Sequence, residues 1–562
     1  MTTKDLYRLA DSTTIEPLVD RWAAWANVIA PVASSLHLKN YQIKLLESFL
    51  KDPGVHAEAC QNPRLRSGPF VDISPTRIDE VRQLLTTMKA GLQENLEFAT
   101  SLIEFHNFLG KVTDGASLEP YYKRLPQPLR GYVELLYDYY DHPIVRCVES
   151  LLYESPLYRD ARQSFRIFTE ISDHTRPFFQ STPRLRDSCQ ADWAIPFADS
   201  RVDEFFRLDH SPQPLGYIRE MLELDPVSDP LLLSLLSDQP VRPRERWNDS
   251  EVRIRTLGHA AALIEWNGNS ILVDPYVSVT PSEGGIERFS YSSLPEKIDY
   301  VLITHLHQDH FCLETLLRLR HKVDCVVVPR SFGMFYGDLS LKLLLRKIGF
   351  RNVVELDSLE SIELPGGEIT AVPFLGEHAD LPHGKTGYVI RAGDQQILLG
   401  ADSDCLDRRM YEHVRRILGP VQTVFLGMEC VGAPLSWSCG PLLPAIPEFA
   451  KDQSRRCHGC DSRRALDLLE AVGANRIYIY AMGLEPWMEH LLGLAYTEDA
   501  QQIKEARRLV SAALEKGFED AAIVFGKSEI VLSSQSARSS ISHPIFIPGS
   551  TRIDQPEDQF SF

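Results

Sequence analysis

The chain has no excess of basic charge: its 59 lysines and arginines are outnumbered by 77 aspartates and glutamates, a formal net charge of −18 at pH 7. Broad nucleic-acid binding needs a basic footprint, so that class of partner is argued against, and anionic membranes with it. No apolar run reaches the roughly eighteen residues of a membrane helix. The opening Met1-Thr2-Thr3-Lys4-Asp5-Leu6-Tyr7 has no apolar core of the kind a secretory leader carries. A cytoplasmic protein without nucleic-acid or membrane partners is expected. Paired cysteines are scarce too. Ten cysteines are scattered, most in apolar contexts such as Asp324-Cys325-Val326-Val327-Val328, and read as reduced and structural. Cys457-His458-Gly459-Cys460 alone has ligand spacing, and without a clear second pair it reads as a surface loop. Repeats and long low-complexity tracts are absent.

What is present is a long chain of ordinary globular composition. At 562 residues, 44% apolar and 24% charged, it should fold as two or more domains. The first 240 or so residues read as mainly helical. Leu18, Trp22, Trp25 and Ile29 follow helical spacing, as do Ile78, Val81, Leu85, Met88 and Leu92. Ser74-Pro75 supplies a cap followed by proline at the first helical position. Aromatic density at 132–140 and 165–179 reads as core or interface packing. A proline- and arginine-rich stretch from Ser237 to Arg246 suits a linker.

Beyond it, short strands are expected at 252–257, 261–266, 270–273, 300–303, 325–328, 387–390 and 396–399. Helices are expected at 313–319 and 498–516. The latter has Thr497 as cap, Ile503, Ala506, Val510 and Leu514 on one face, and Gly517 as its stop. The chain thus divides into 1–245, an accessory or dimerisation domain, 246–532, a catalytic domain, and 533–562, an irregular tail.

Chemistry concentrates in Thr304-His305-Leu306-His307-Gln308-Asp309-His310, which follows the apolar run Tyr300-Val301-Leu302-Ile303. His305 and His307 leave an extended segment on the same side, because side-chain direction repeats every second residue. Asp309 and His310 then follow in a turn and can reach a second ion. Such a run builds a two-metal site.

With Leu257-Gly258-His259 and Ile271-Leu272-Val273-Asp274-Pro275 upstream, the segment resembles the metallo-β-lactamase fold, an α/β sandwich of αββα type. The resemblance implies that Asp274 ties down the metal loop without binding metal, support that histidine ligands need. It implies a bridging aspartate in Ile397-Leu398-Leu399-Gly400-Ala401-Asp402, with Asp404 as the fallback. Two departures stand out. Where hydrolases of this fold place a third histidine, this chain reads Pro373-Phe374-Leu375-Gly376-Glu377-His378-Ala379-Asp380. Where they place a late histidine, near 477–483, there is none, and His490 lies too far along to fit comfortably.

Three imidazoles suit zinc and hydrolysis, whereas two histidines and a carboxylate suit oxygen-activating iron. The chain resembles, over most of its length, the diiron β-hydroxylases of this fold that act on amino acids held on nonribosomal peptide synthetases, as in chloramphenicol biosynthesis. That resemblance implies a first iron on His305, His307 and Glu377, a second on Asp309 and His310, Asp402 as bridge, and His378 as a neighbouring hydrogen-bonder. It implies O2 as cosubstrate, an electron-donating reductase, and L-p-aminophenylalanine on a carrier-domain phosphopantetheine as substrate. A homodimer is plausible on the same ground.

Carrier domains tend to be acidic, so a basic docking patch is needed. Arg318-Leu319-Arg320-His321-Lys322 and Arg455-Arg456 with Arg463-Arg464 are candidates, unless they are simply solvated faces. The alternative function is a dizinc hydrolase of a lactone, phosphodiester or thioester, with His378 or His383 in place of Glu377.

Overall fold

The computed structural model describes residues 6–241, 244, 246–376, 384–494, 496–533 and 537–542. The C-terminal half is a sandwich of two sheets. The first contains β1 (Val252–Gly258), β2 (Ala261–Trp266), β3 (Asn269–Val273), β4 (Ile298–Leu302), β5 (Val323–Pro329) and β6 (Val353–Leu356). The second contains β7 (Ser361–Leu364), β8 (Gly367–Val372), β9 (Gly387–Ala392), β10 (Gln395–Leu399), β11 (Thr423–Gly427), β12 (Arg476–Tyr480) and β13 (Asp520–Ile523). The chain then returns to the first sheet as β14 (Phe525–Leu532) and β15 (Ala537–Ser542). The orders are β6-β5-β4-β3-β2-β1-β14-β15 and β7-β8-β9-β10-β11-β12-β13.

Local sequence explains the hairpin that starts this fold. Asn267 and Gly268 take φ of 45° and 75°, the left-handed pair that a two-residue turn between twisted strands requires. Trp266 therefore faces Asn269, and Ala262 faces Val273. Ile254, Ile264, Ile271, Val273, Ile390 and Phe425 are among the side chains that fill the space between the sheets. Helices Arg408–Leu418, Ser462–Val472 and Gln501–Glu515 cover the second sheet. Leu313–Leu319 and Leu341–Lys347 cover the first, and their apolar faces share one continuous core with the N-terminal half, from Leu9 to Leu491.

The N-terminal half is less helical at its start than the spacing suggests. Leu18 lies in a strand, Thr13–Val19, and Trp22 in a second, Trp22–Ala23; both join Gln163–Thr169 and Ala191–Trp193 in a four-stranded sheet. Ile15 pairs with Ile167 across it, so β-branched packing decides over a helical period. The helix expected from Ile78 is present as Ile78–Gly91, preceded by Ser74, whose hydroxyl accepts from Thr76 N–H. The aromatics at 132–140 belong partly to a hairpin, Val133–Tyr137 with Pro143–Cys147, and at its tip Tyr139 and Tyr140 are exposed, not core. Phe165, Phe178 and Phe179 are buried.

Four further expectations are corrected. The tail is not irregular throughout: Ala537–Ser542 pairs with β14 as an edge strand. The late helix starts at Gln501 without a side-chain cap, so Thr497 does not serve, and it buries Ile503, Ala506, Leu509 and Ala513 while Leu514 is exposed. Arg318, Arg320 and Lys322 form neither a docking patch nor a solvated face. All three are buried, with Arg318 on Asp209 at 2.7 Å, Arg320 on Asp203 at 2.9 Å, and Lys322 Nζ on Pro295 O at 2.9 Å. The surface-loop reading of Cys457 and Cys460 also fails, since both thiols are buried. Among the described residues no helix is long and apolar enough to cross a membrane.

Candidate metal centre

Strand ends build the centre. Asp274, just past β3, is fully buried and gathers the loop after β4. Its Oδ1 accepts from Thr304 N–H at 2.7 Å, and its Oδ2 accepts from the Thr304 hydroxyl at 2.6 Å and from His310 Nδ1 at 2.8 Å. A proton on His310 Nδ1 leaves Nε2 free to bind a cation, which is how such a carboxylate selects the tautomer. Tyr388 donates to Ile303 O at 2.9 Å and Thr386 N–H to Thr304 O at 2.8 Å, pinning the same loop to β9.

The donor atoms fall into two groups, each within 4.8 Å: His305, His307 and Asp402, and His259, Asp309 and His310. Asp402 Oδ2 lies 3.6 Å from His305 Nε2 and 3.2 Å from His310 Nε2, so one carboxylate faces both groups. Spacings of this size suit donors that each sit about 2 Å from a shared ion. Among the described residues, Asp402 Oδ1 is buried without a hydrogen-bond partner. The residues therefore fit a dinuclear metal cluster. Charge favours it as well. Burial opposes the His310 cation, yet Asp402, Asp309 and Asp274 outweigh it and raise its pKa well above the ordinary value. Burial likewise opposes the Asp309 anion, but His310, His259 and His307 hold it well below the usual carboxylate range.

Asp404 is turned away from this cluster. It is buried against Arg464 and lies 3.3 Å from His458 Nδ1. Gly376 packs on it so closely that an added Cβ would stand 2.6 Å from Asp404 Cβ, and its φ of 78° also demands glycine. Glu377, His378 and His383 lie outside the described residues. His490 is buried with Nδ1 on Trp487 O at 2.9 Å and belongs to neither donor group.

His259 is the residue that the motif reading passed over. It sits at the end of β1, within Leu257-Gly258-His259, and that position was the available signal. Its Nδ1 accepts the Gly483 N–H at 3.1 Å, and its backbone carbonyl accepts Ala481 N–H at 3.1 Å. The stretch where a late histidine is lacking thus uses its backbone to hold a histidine from the first hairpin. An accepting Nδ1 places the proton on Nε2, which stands 2.9 Å from Asp309 Oδ2. His259 therefore donates to Asp309 instead of offering a lone pair to metal. Four non-glycine residues around the centre have positive φ: His259 48°, Asp274 42°, Ala401 47° and Ala481 52°. Backbone strain of this kind persists only where surrounding structure over-determines it, as at functional sites.

The Cys457–Cys460 segment straps the Asp402 loop: a Cβ on Gly459 would stand 3.0 Å from Asp402 O. Among the described residues the pair joins no metal-binding group. Of the second arginine cluster, Arg455 and Arg463 are exposed, whereas Arg456 bonds Gly432 O and Arg464 holds Asp404. In front of the centre opens a cavity of about 420 Å³. His307, Asp309 and Asp402 form one wall, and Trp25 and Phe179 of the N-terminal half form another.

Fold and donors define a dinuclear metalloenzyme of the metallo-β-lactamase type. Residues 8–240 match the family described as the diiron non-heme beta-hydroxylase N-terminal domain, and residues 253–414 match the beta-lactamase superfamily domain. The chain is 35% identical over 522 residues to the 4-amino-L-phenylalanyl-(CmlP-peptidyl-carrier-protein) 3-hydroxylase of Streptomyces venezuelae, covering 91% of this chain and 97% of that one. The crystal structure of CmlA, a diiron beta-hydroxylase from Streptomyces venezuelae, superposes with a TM-score of 0.86 at 32% identity, covering 96% of this chain and all of that one. The chain belongs to the diiron non-haem β-hydroxylase family. It is an oxygenase whose cofactor is a pair of iron ions and whose oxidant is O2, and the hydrolase alternative is set aside.

Proposed function

We propose that this enzyme hydroxylates the β-carbon of an aminoacyl group, L-p-aminophenylalanine, held by thioester on a peptide-synthetase carrier domain in chloramphenicol-type biosynthesis. The observation that carries the reading is the near full-length match to a hydroxylase named for a carrier-bound 4-aminophenylalanyl group. In this reading His305, His307 and Glu377 hold the first iron, Asp309 and His310 the second, and Asp402 lies between them. When bound, the iron pair supplies reductive activation of O2 and delivery of one oxygen atom to the β C–H bond. The second oxygen atom would be released as water, with two electrons from an external reductase and two protons from solvent.

The chain's own groups hold and shield. Asp274 keeps the His310 proton on Nδ1, and His259 steadies Asp309. Trp25, Phe179 and Trp437 give the cavity apolar walls suited to an aromatic side chain and unsuited to water. The N-terminal domain, 1–245, shapes the substrate side of the catalytic domain, 246–532. A cytoplasmic setting, where carrier and reductase meet the enzyme, and a homodimer belong to the same reading.

The test is a single turnover of chemically reduced protein with O2 and carrier loaded with the amino acid. Mass spectrometry of the carrier should show a gain of one oxygen atom at the β-carbon. An unmodified carrier, with the protein fully iron-loaded, would sink the proposal. The Glu377→His variant should lose the activity, and full hydroxylation by it would refute the ligand role given to Glu377.

A further inference from the structure

Among the described residues, the cavity is lined by one carboxylate that the proposed metal-binding set does not use. Glu429 follows the end of β11 by two residues and lines the same space as His307, Asp309 and Asp402. Its Oε1 accepts from Gly432 N–H at 3.0 Å and from Gln502 Nε2 at 2.8 Å, and its Oε2 accepts from the Tyr496 hydroxyl at 2.7 Å. A carboxylate offers about four acceptor positions, so these three donors fix its orientation and leave Oε2 able to accept once more. All three partners are neutral. Among the described residues no lysine, arginine or histidine is paired with it. Arg456 also borders the cavity, but its guanidinium is directed to Val431 O, Gly432 O and Gln453 Oε1.

Its place relative to the metal ligands is fixed by the backbone. A Cβ on Gly427, the last residue of β11, would stand 3.0 Å from Asp402 Oδ1. The carbonyl of Glu429 accepts from Gly459 N–H at 2.9 Å, and Gly459 packs against the backbone of Asp402. Glu429 is thus a positioned, cation-free acceptor beside the carboxylate that faces both donor groups. A charge in an apolar cavity is costly until it is paired, and pairing there is stronger than in water.

We propose that Glu429 binds the α-ammonium of the carrier-bound aminoacyl group and thereby turns the β-carbon toward the metal centre. This rests on the carrier-bound substrate proposed above. The thioester has removed the substrate's own carboxylate, so the α-ammonium is the cation nearest the reacting carbon. It is attached to the carbon next to the one hydroxylated, and its partner must therefore lie beside the metal ligands, as Glu429 does. The ring amine is at the far end of the side chain and is uncharged near neutral pH, so it would not balance this carboxylate. Glu429 would then be a specificity-determining residue, selecting substrates with a free α-amine over N-acylated or des-amino ones.

The experiment uses the full-length, iron-loaded enzyme and three loaded carriers: 4-aminophenylalanyl, its des-amino analogue lacking the α-amine, and phenylalanyl. Binding is read without oxygen or reductant, from the fluorescence of the tryptophans that line the cavity, and turnover from mass spectrometry. The wild type should prefer the α-amine by about 10- to 100-fold in Kd, the range for a charge-assisted hydrogen bond. Glu429→Gln should reduce that preference to about twofold or less, with iron content and ring-amine preference unchanged, and Glu429→Asp should restore part of it. An undiminished α-amine preference in Glu429→Gln overturns the inference, as does a loss that falls on the ring amine. Should Glu429→Gln fail to fold, absence of an α-amine preference in the wild type overturns it as well. A wild-type enzyme that hydroxylates none of the carriers removes the proposed function itself. Hydroxylation with unaltered selectivity in the variant removes this inference alone.

Discussion

His259 Nε2 stands 2.9 Å from Asp309 Oδ2 while Nδ1 of the same ring takes the Gly483 N–H. The ring is thereby fixed as a donor to the carboxylate proposed to bind the second iron. Residues in this position govern metal affinity through ligand orientation, with losses of about 10- to 100-fold when removed. His259→Ala should therefore weaken the second iron by that factor, and metal analysis after dialysis should find closer to one iron per chain. Two tightly held irons with undiminished turnover would rule the role out.

The two aspartates of the β10–β11 connection should behave differently. Asp402 faces both donor groups, whereas Asp404 is buried against Arg464 and His458. Asp402→Ala should lose bound iron. Asp404→Ala should keep both irons and lose about 1–3 kcal/mol of stability, because hydrogen-bond partners are left unmet. Iron content and urea unfolding of the two variants separate the roles.

Arg318 joins the halves of the protein. Its guanidinium meets Asp209 at 2.7 Å and Thr13 O at 2.9 Å and lies 3.9 Å from the centroid of the Tyr291 ring. Burial raises the pKa of Asp209, but Arg318 and neighbouring cations bring it below the usual value. Arg318→Ala removes the direct partner of that buried carboxylate and leaves only the more distant Lys322 and Arg244 charges, at a cost of up to about 3–5 kcal/mol. Thermal unfolding should report the loss, while carrier affinity measured below the transition should not change. A selective loss of carrier affinity would restore the docking reading for this segment.

Stability should also vary with pH through Glu149. Burial pushes its carboxyl up to about 7, with Asp338 adding to the rise against hydrogen bonds from Ser340 N–H and Tyr153. The folded chain holds a proton there that the unfolded chain sheds near its ordinary, lower pKa. Stability from this group therefore falls as pH rises from that value to about 7. Glu149→Gln should match the wild type near pH 5 and exceed it near pH 8 by up to about 3 kcal/mol. Melting temperatures across that range provide the check, and equal curves would exclude the effect.

The His305–His310 run was legible because it is local: six residues soon after one strand carry four potential donors, and alternation aims the first two together. Asp274 and Asp402 were legible as strand-end aspartates. His259 was not, because its role depends on Gly483, 224 residues away, whose backbone sets the tautomer. Arg318 to Lys322 read as surface because three cations in five residues usually are, yet their partners Asp209 and Asp203 lie more than a hundred residues upstream. Leu18 and Trp22 misled for a related reason, whereas Ile29 does lie in a short helix, Ala26–Ile29. Their apolar spacing fits a helix, but the partner strand Gln163–Thr169 is far along the chain.

The cavity's two walls come from opposite ends of the chain. His307, Asp309 and Asp402 belong to the sandwich, while Trp25, Asn27 and Phe179 belong to the N-terminal half. The metal-facing wall and part of the aromatic lining are thus written in separate stretches of the gene. Substitutions at Trp25 or Phe179 can alter which side chain fits without disturbing a single metal donor. A lineage of such enzymes is therefore free to change its amino acid while keeping its chemistry, and the N-terminal half is where a search for altered substrate choice should begin.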